Sequence, residues 1–491
     1  MSHKASLRSR IKKTELYRSV FRHGYSGTQR NRYLTLLTNV FLHLHPLQVP
    51  RNALRFTYTW GLGGISFLLF LVTVVTGVLL MFYYVPDSRR AYDDMKDLEF
   101  VVPFGLFLRN LHRWAAHAMV IAVWLHMLRV FLTGSYKKPR QFNWVMGVVL
   151  LVSTLLLSFS GYLLPWDQIA FWAITVGTNM ATATPVLGAE GPFSLVSYEN
   201  DLRFLILGGS SVGQNALLRF YVLHCLALPL FAAVLMGVHF WRVRKDRFSI
   251  PVHSLREEKE AASGEVEKAD VWPHLVSREF LAMLVTLAIL VAWSLVVDAP
   301  LEELANPNNT PNPAKAPWYF LGLQEMLVYF DPWIAGVVLP GMIIVGLAMI
   351  PYLDPNPHGV GLYGFRHRPY TISVFLFGFL LWIALIILGQ FFRGPGWNWY
   401  WPWESWEVDK PIYAKTWDFP WFAGAPVLLL YFGATLLLPR RLWPALFRHL
   451  SGGKYYTVMF FVASMVGLPI KMVLRLSLNV HYVLVTPWFK I

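Results

Sequence analysis

The chain has 491 residues, of which 55% are hydrophobic and 14% charged, with mean hydropathy +0.44 and net charge +15. A soluble domain carries about a quarter charged residues, and the apolar runs here recur along the whole length, each reaching the roughly 20 residues that cross a ~30 Å hydrocarbon core. These totals exclude an ordinary soluble protein and point to a polytopic membrane protein. The positive excess reads as membrane topology, since no basic soluble module for nucleic acid is present. The one cysteine, Cys225, excludes a Cys-ligated iron–sulfur cluster, an internal disulfide and a Cys-x-x-Cys-His haem attachment site.

In chain order, residues 1–57 form a basic N-terminal segment with no apolar core of a cleavable signal peptide. Within it, RYLTLLTNVFLHLHPLQV has the mixed pattern of an amphipathic helix lying on the membrane surface. Spans are expected at 62–84, 110–133, 145–165, 217–241, 279–298, 334–352, 372–392 and 419–438. A ninth apolar run, 455–470, is short and ends near Pro469, Lys471 and Arg475, so it is expected to lie in the interface or leave the membrane early. The predicted organisation is a 58–250 four-helix core, a 251–275 polar linker, a 276–393 three-helix region and a 394–491 extension. That extension opens on a Trp-rich interfacial loop and adds one or two further helices. The fold class is all-α integral membrane.

Charge sets the orientation. The first 58 residues hold eleven Lys/Arg and one acid, Glu15. KKPR (137–140), RVRKDR (242–247), RHR (366–368), Arg440 and Arg441 fall on the same side if the spans alternate. Asp87 to Glu99, Asp167, Glu190 to Asp201, Glu302 and Glu303 fall on the other. The N-terminus is therefore expected on the negative, cytoplasmic side of a bacterial or equivalent energy-transducing membrane.

Histidines carry the chemistry. His112 and His126 lie 14 apart in the second span, His224 and His239 15 apart in the fourth. At about 1.5 Å and 100° per residue, each pair is separated by roughly 21–22 Å and shares a face to within about 40° and 60°. Two such helices make two levels, each with imidazoles facing across one iron, as a haem between helices needs. Isolated buried histidines more often just satisfy a core, but two matched pairs in a membrane are costly and point to function. His117 is five residues from His112, off that face, and reads as a satisfied core histidine. Gly63 and Gly77, and Gly147 and Gly161, repeat the 14-residue interval in the flanking spans, where a missing Cβ lets a helix approach a flat macrocycle. Arg109 and Arg129 lie near the two levels and suit haem propionates.

These residues carry a family resemblance. LHRW, HMLRVFLTGSYKKPR, GYLLPWDQIAFWA and SVGQNALLRFYVLH with MGVHFWRVRK resemble cytochrome b of the Rieske/cytochrome b complexes, most closely its chloroplast-type branch. Residues 276–392 resemble the second half of cytochrome b, so the chain looks like a fused form. The resemblance implies a dihaem subunit with two non-covalent b haems, His112/His224 holding the outer one and His126/His239 the inner one. It implies a Q cycle, in which quinol is oxidised at an outer site, an electron crosses the membrane through both haems, and quinone is reduced at an inner site with proton translocation. The expected partners are a Rieske iron–sulfur protein, a c-type cytochrome, lipid and quinol, within a homodimeric complex and without nucleic acid.

The departures are specific. The family's outer site carries Pro-Glu-Trp-Tyr, whose glutamate accepts a quinol proton. Here KAPWYFLGLQE puts Pro317 in that place and keeps Trp318 and Tyr319. Glu325, about two helical turns past Trp318, is the candidate to replace the acid, the alternative being a structural carboxylate paired with a basic group, with Tyr319 and Tyr162 as weaker hydrogen-bonding candidates. Gly61 stands where the chloroplast-type branch attaches an extra haem to cysteine, so no covalent haem is expected. Arg244, Lys245 and Asp246 are the candidates for holding an inner quinone oxygen. Two alternatives stay open: a dihaem anchor for another quinone-linked oxidoreductase, and a non-redox transporter using histidine proton relays.

Overall fold

The computed structural model describes residues 14, 28–39, 42–263, 266–408, 410, 416–486 and 489–491. Among them, nine helices are long and apolar enough to cross a membrane. They are α1 (Leu62–Leu80), α2 (Gly105–Leu132), α3 (Gln141–Tyr162), α4 (Gln214–Asp246), α5 (Val271–Val296), α6 (Ile334–Leu353), α7 (Pro369–Phe391), α8 (Trp421–Leu442) and α9 (Gly452–Leu478). The chain is an all-α integral multi-pass membrane protein. A helix satisfies its backbone groups internally, which hydrocarbon demands. The ninth run is not short: α9 has 27 residues. Lys471, whose charge argued for an early exit, is buried and donates from Nζ to the His481 carbonyl at 2.6 Å.

In the first half α1 packs on α2, α3 packs on α4, and α5 lies against α1 and α2. Loops rich in Lys and Arg gather at one end of this bundle, here the basic end, and the acidic loops at the other. The basic loops also tie the two halves together. Lys137 donates to the carbonyls of Asn356 and His358, each at 2.6 Å, and lies 3.3 Å from the Asp354 carboxylate. Arg368, 2% exposed, donates to the Phe131 and Leu132 carbonyls at the end of α2. The described residues within 251–275 are folded rather than a bare linker. They hold a helix, Leu255–Ser263, then strand β2 (Lys268–Asp270), which pairs antiparallel with β1 (Gln48–Pro50), then the first turn of α5. Asp270 fixes this staple by accepting from Arg32 at 2.9 Å and Gln48 at 3.1 Å.

Two spans contain a widened π-turn, Leu223–Ala227 in α4 and Ile334–Val338 near the start of α6. Each lies just before a proline, Pro229 and Pro340. A proline lacks the N–H for the helical ladder and its ring presses on the carbonyl four residues back, which a wider turn relieves. The turn in α4 contains His224. A π-turn takes up about one residue more than an α-turn, so the 15-residue interval to His239 is equivalent to the 14-residue interval in α2. The offset of about 60° expected for an unbroken helix is thereby reduced.

Leu69, Ala115, Met119, Leu157 and Ala232 form a buried apolar cluster from α1 to α4, at chain positions between the two histidine levels. The C-terminal extension packs beside the second half. In α9, Phe461 faces Gly346 of α6 and Met465 faces Gly378 of α7, and Tyr431 of α8 donates to the Ala463 carbonyl at 2.6 Å.

Candidate functional site

At the acidic end, α2 and α4 bring His112 and His224 together with ring centroids 6.2 Å apart at 76°. Each ring is fixed through Nδ1. Thr76 Oγ1 donates to the Val72 carbonyl at 2.6 Å and so accepts from His112 Nδ1, 2.9 Å away. His224 Nδ1 lies 3.0 Å from the Leu157 carbonyl and 3.2 Å from Ser160 Oγ. An Nδ1–H that donates leaves the Nε2 lone pair as the free donor to a metal.

The basic end is built differently. The Nδ1 atoms of His126 and His239 are buried without a hydrogen bond of ordinary geometry. Beside His126 lies a cavity of about 100 Å³ bordered by Thr59, Gly61, Gly63, Arg129 and Glu279. Glu279 pairs with His45 at 3.2 Å. Burial pulls the His45 imidazole down, but the hydrogen bond and charge of Glu279 more than offset this and leave it above its ordinary value of 6.5.

The four glycines bear on the imidazoles. An added Cβ at Gly77 would come within 3.2 Å of His112 Cε1, at Gly63 within 3.4 Å of His126 Cε1, and at Gly147 within 3.8 Å of His239 Cε1. At Gly161 it would run into the His224 ring. The repeated interval therefore clears room for four histidines on the neighbouring helices. Gly61 has φ +63°, a left-handed conformation that a β-carbon strains, at the cap of α1.

The arginines expected near the levels also hold loops. Arg109 donates to the Ala299 and Pro300 carbonyls at 2.9 and 2.7 Å. Arg129 donates to the Tyr58 carbonyl at 2.9 Å and lies 4.8 Å over the Tyr58 ring. Arg244 donates to the His43 carbonyl at 2.5 Å. A guanidinium carries five N–H donors, so these bonds do not exhaust it. Lys245 lies 5.1 Å over the Trp241 ring, and Asp246 pairs with Arg242 at 2.8 Å.

Trp318 and Tyr319 sit at the acidic end against α2. Trp318 Nε1 is 2.8 Å from His117 Nδ1, and Tyr319 is buried with its ring 5.9 Å from the His117 ring. Burial pushes the Tyr319 phenol up to about 12. The PWDQ stretch pins the loop leading to them. Asp167 accepts from the Ala170 N–H at 2.9 Å and the Glu302 N–H at 3.2 Å, and Gln168 accepts from the Asn306 N–H at 2.7 Å.

Glu325 follows the structural alternative, pairing with a basic group. It is 0% exposed and bound two-pronged by Arg393, Nη2 to Oε1 at 2.6 Å and Nε to Oε2 at 3.0 Å. Tyr329 donates to Oε1 at 2.6 Å and Trp397 Nε1 to Oε2 at 3.3 Å. Arg393 also donates to the Trp397 carbonyl at 3.2 Å, so Glu325 ties the end of α7 to the Trp-rich loop, an arrangement that fits a structural carboxylate better than a replacement proton acceptor.

Two family models match the chain: cytochrome b/b6/petB over residues 48–247 and cytochrome b (C-terminal)/b6/petD over residues 304–401. The cytochrome b6 of Auxenochlorella protothecoides is 44% identical over 190 residues, 39% of this chain and 83% of that protein. The chain belongs to the cytochrome b/b6 family. The cytochrome b6 of Heliobacterium mobile is 41% identical over 208 residues, 42% of this chain and 91% of that protein. A solved structure titled hyperthermophilic respiratory Complex III shares the fold, with TM-score 0.61 at 23% identity, covering 77% of this chain and 90% of that one. Family membership implies b-type haem binding and the oxidoreductase class. The second family model ends at residue 401, so α8 and α9 lie beyond it.

The residues present fit haem. An iron with an imidazole nitrogen at ~2 Å on each side sets the ring centroids roughly 6 Å apart, which matches the pair at the acidic end. At the basic end Gly63 and Gly147 face the His126 and His239 rings, an added Cβ coming within 3.4 and 3.8 Å, as glycines do at the acidic-end pair, which suits a second. Sequence reasoning missed Glu279 and His45, although an ionisable residue at the start of a span is itself a functional signal. It also gave His117 no partner outside its own helix, because Trp318 is 201 residues away.

Proposed function

We propose that this chain is the dihaem cytochrome b subunit of a Rieske/cytochrome b complex, oxidising quinol at the acidic end and reducing quinone at the basic end in a proton-translocating Q cycle. The carrying observation is the pairing of His112 with His224 between α2 and α4; His126 and His239 hold the corresponding positions on the same two helices, 14 and 15 residues further on. Bound there, the two haems supply one-electron transfer across the apolar layer. His112, His224, His126 and His239 hold them, Gly63, Gly77, Gly147 and Gly161 clear space for the rings, and Arg109 and Arg129 lie near the two levels. Trp318 and Tyr319 form one wall of the quinol site. The cavity beside His126 receives quinone, with Arg129, Glu279 and His45 as its polar groups.

The basic end faces the negative compartment by the positive-inside rule, which puts quinol oxidation outside. The described residues hold one cysteine, Cys225, and no cluster of metal-binding side chains. The iron–sulfur centre and the final acceptor therefore belong to separate polypeptides, a Rieske protein and a c-type cytochrome, in a homodimeric complex.

The test is purification of the intact complex through this chain. Two b haems reduced by added quinol, together with an iron–sulfur subunit, are expected. Two b haems with a soluble dehydrogenase and no iron–sulfur subunit would move the chain to a dihaem membrane anchor.

A further inference from the structure

His117 sits between two groups that can only donate. Trp318 Nε1 approaches its Nδ1 at 2.8 Å, and Arg113 Nε approaches its Nε2 at 3.1 Å. A neutral imidazole has one lone pair to offer and one N–H; the protonated ring has none to offer. The ring is therefore neutral, and only one donor is accepted. The indole is the closer, and it is carried on a loop fixed through PWDQ, so it takes the Nδ1 lone pair. Nε2 then carries the hydrogen and points at the Arg113 guanidinium. Two N–H groups face one another with no acceptor between them, which leaves both unsatisfied.

An acceptor oxygen taking both hydrogens, with the Arg113 side chain swung slightly away from the ring, would resolve this. Its surroundings are aromatic: Arg113 lies 4.7 Å over Tyr162, and the rings of Trp114 and Tyr319 stand 5.6 and 5.9 Å from His117. A flat, apolar ring carrying an oxygen fits this wall better than an inorganic anion. The position touches the Trp318–Tyr319 segment, where Pro317 removes the carboxylate expected there and Glu325 is tied to Arg393.

We propose that His117 Nε2–H and Arg113 together hold one ring oxygen of the quinol or quinone at the acidic end. The inference rests on the quinol-oxidising reading and deepens it. Where a carboxylate would take a proton, the chain offers two donors that hold and orient the bound oxygen, as preorganised donors do.

The experiment uses the purified complex with a short-chain quinol and the matching quinone. In the wild type, quinone should protect peptides covering 112–120 and 315–322 from hydrogen–deuterium exchange. His117→Leu should keep both b-haem absorptions, raise KM for quinol by up to roughly tenfold, as loss of a neutral hydrogen bond does, and abolish the protection. His117→Gln, which restores an N–H, should recover most of the affinity. Arg113→Gln should raise KM independently, and it carries the test if His117→Leu fails to assemble. Absence of quinone protection in the wild type, or unchanged KM in His117→Leu with intact haem spectra, would overturn the proposal. Absence of b haem from the wild type would instead overturn the reading on which it rests.

Discussion

The two histidine levels have nearly the same spacing but different surroundings. At the acidic end both Nδ1 atoms are bonded, to Thr76, Ser160 and the Leu157 carbonyl. At the basic end both Nδ1 atoms lack a well-formed bond, and a cavity bordered by the half-buried Glu279 adjoins His126. An imidazole whose Nδ1–H donates is a more basic ligand, and a more electron-rich ligand favours the oxidised metal. Identical ligands could thus be tuned apart by what lies behind them, and the proposed route from the acidic to the basic end would run downhill if the acidic-end potential is the lower.

The largest expected effect separates the levels outright. His112→Leu should remove the acidic-end haem and leave the basic-end one, and His126→Leu should do the reverse. Reduced-minus-oxidised spectra would show about half the absorption lost in each, with different potentials in the survivor. Loss of both haems from either variant would mean that the levels do not form independently.

Gly161→Ala and Gly147→Ala sharpen the contrast in packing. The first forces a Cβ into the His224 ring, so it should cost about 1–3 kcal/mol of overpacking and perturb the acidic-end spectrum. The second meets His239 at 3.8 Å, an ordinary contact, and should be near neutral or gain slightly from helix propensity. Thermal melts followed at the haem band distinguish them.

Thr76→Val tests the tuning. It keeps the side-chain shape but leaves the His112 Nδ1–H without its hydroxyl acceptor, costing about 1–3 kcal/mol. The acidic-end potential should rise in a redox titration while the basic-end potential stays in place. Equal shifts at both levels would break the link between Nδ1 bonding and potential.

Much of this was legible in the chain. The 14-residue interval in α2 places two imidazoles on one face because a regular helix repeats its direction. The 15-residue interval in α4 was less so, since a π-turn driven by Pro229 lies outside any fixed period. The glycine interval was visible, but its partners were not: the structure sets those glycines against imidazoles. Glu325 shows the same limit. Its partner Arg393 is 68 residues away, and no local pattern distinguishes an anchored carboxylate from a proton acceptor.

The smallest effect concerns the staple over the basic end. His45 is held above its ordinary value of 6.5 by Glu279. A raised imidazole contributes stability that is complete below 6.5 and fades as pH climbs through the folded value. Hydrogen exchange in 42–50 and 266–279, corrected for intrinsic rate, should therefore increase modestly above pH 6.5, and His45→Gln should flatten that dependence.

The most direct measurement is haem stoichiometry. Quantifying extractable haem against protein in purified complex should give two non-covalent b-type haems per chain, falling to one in His112→Leu. A folded complex with no haem, or with haem unchanged when His112 or His239 is replaced, would contradict the assignment of these imidazoles.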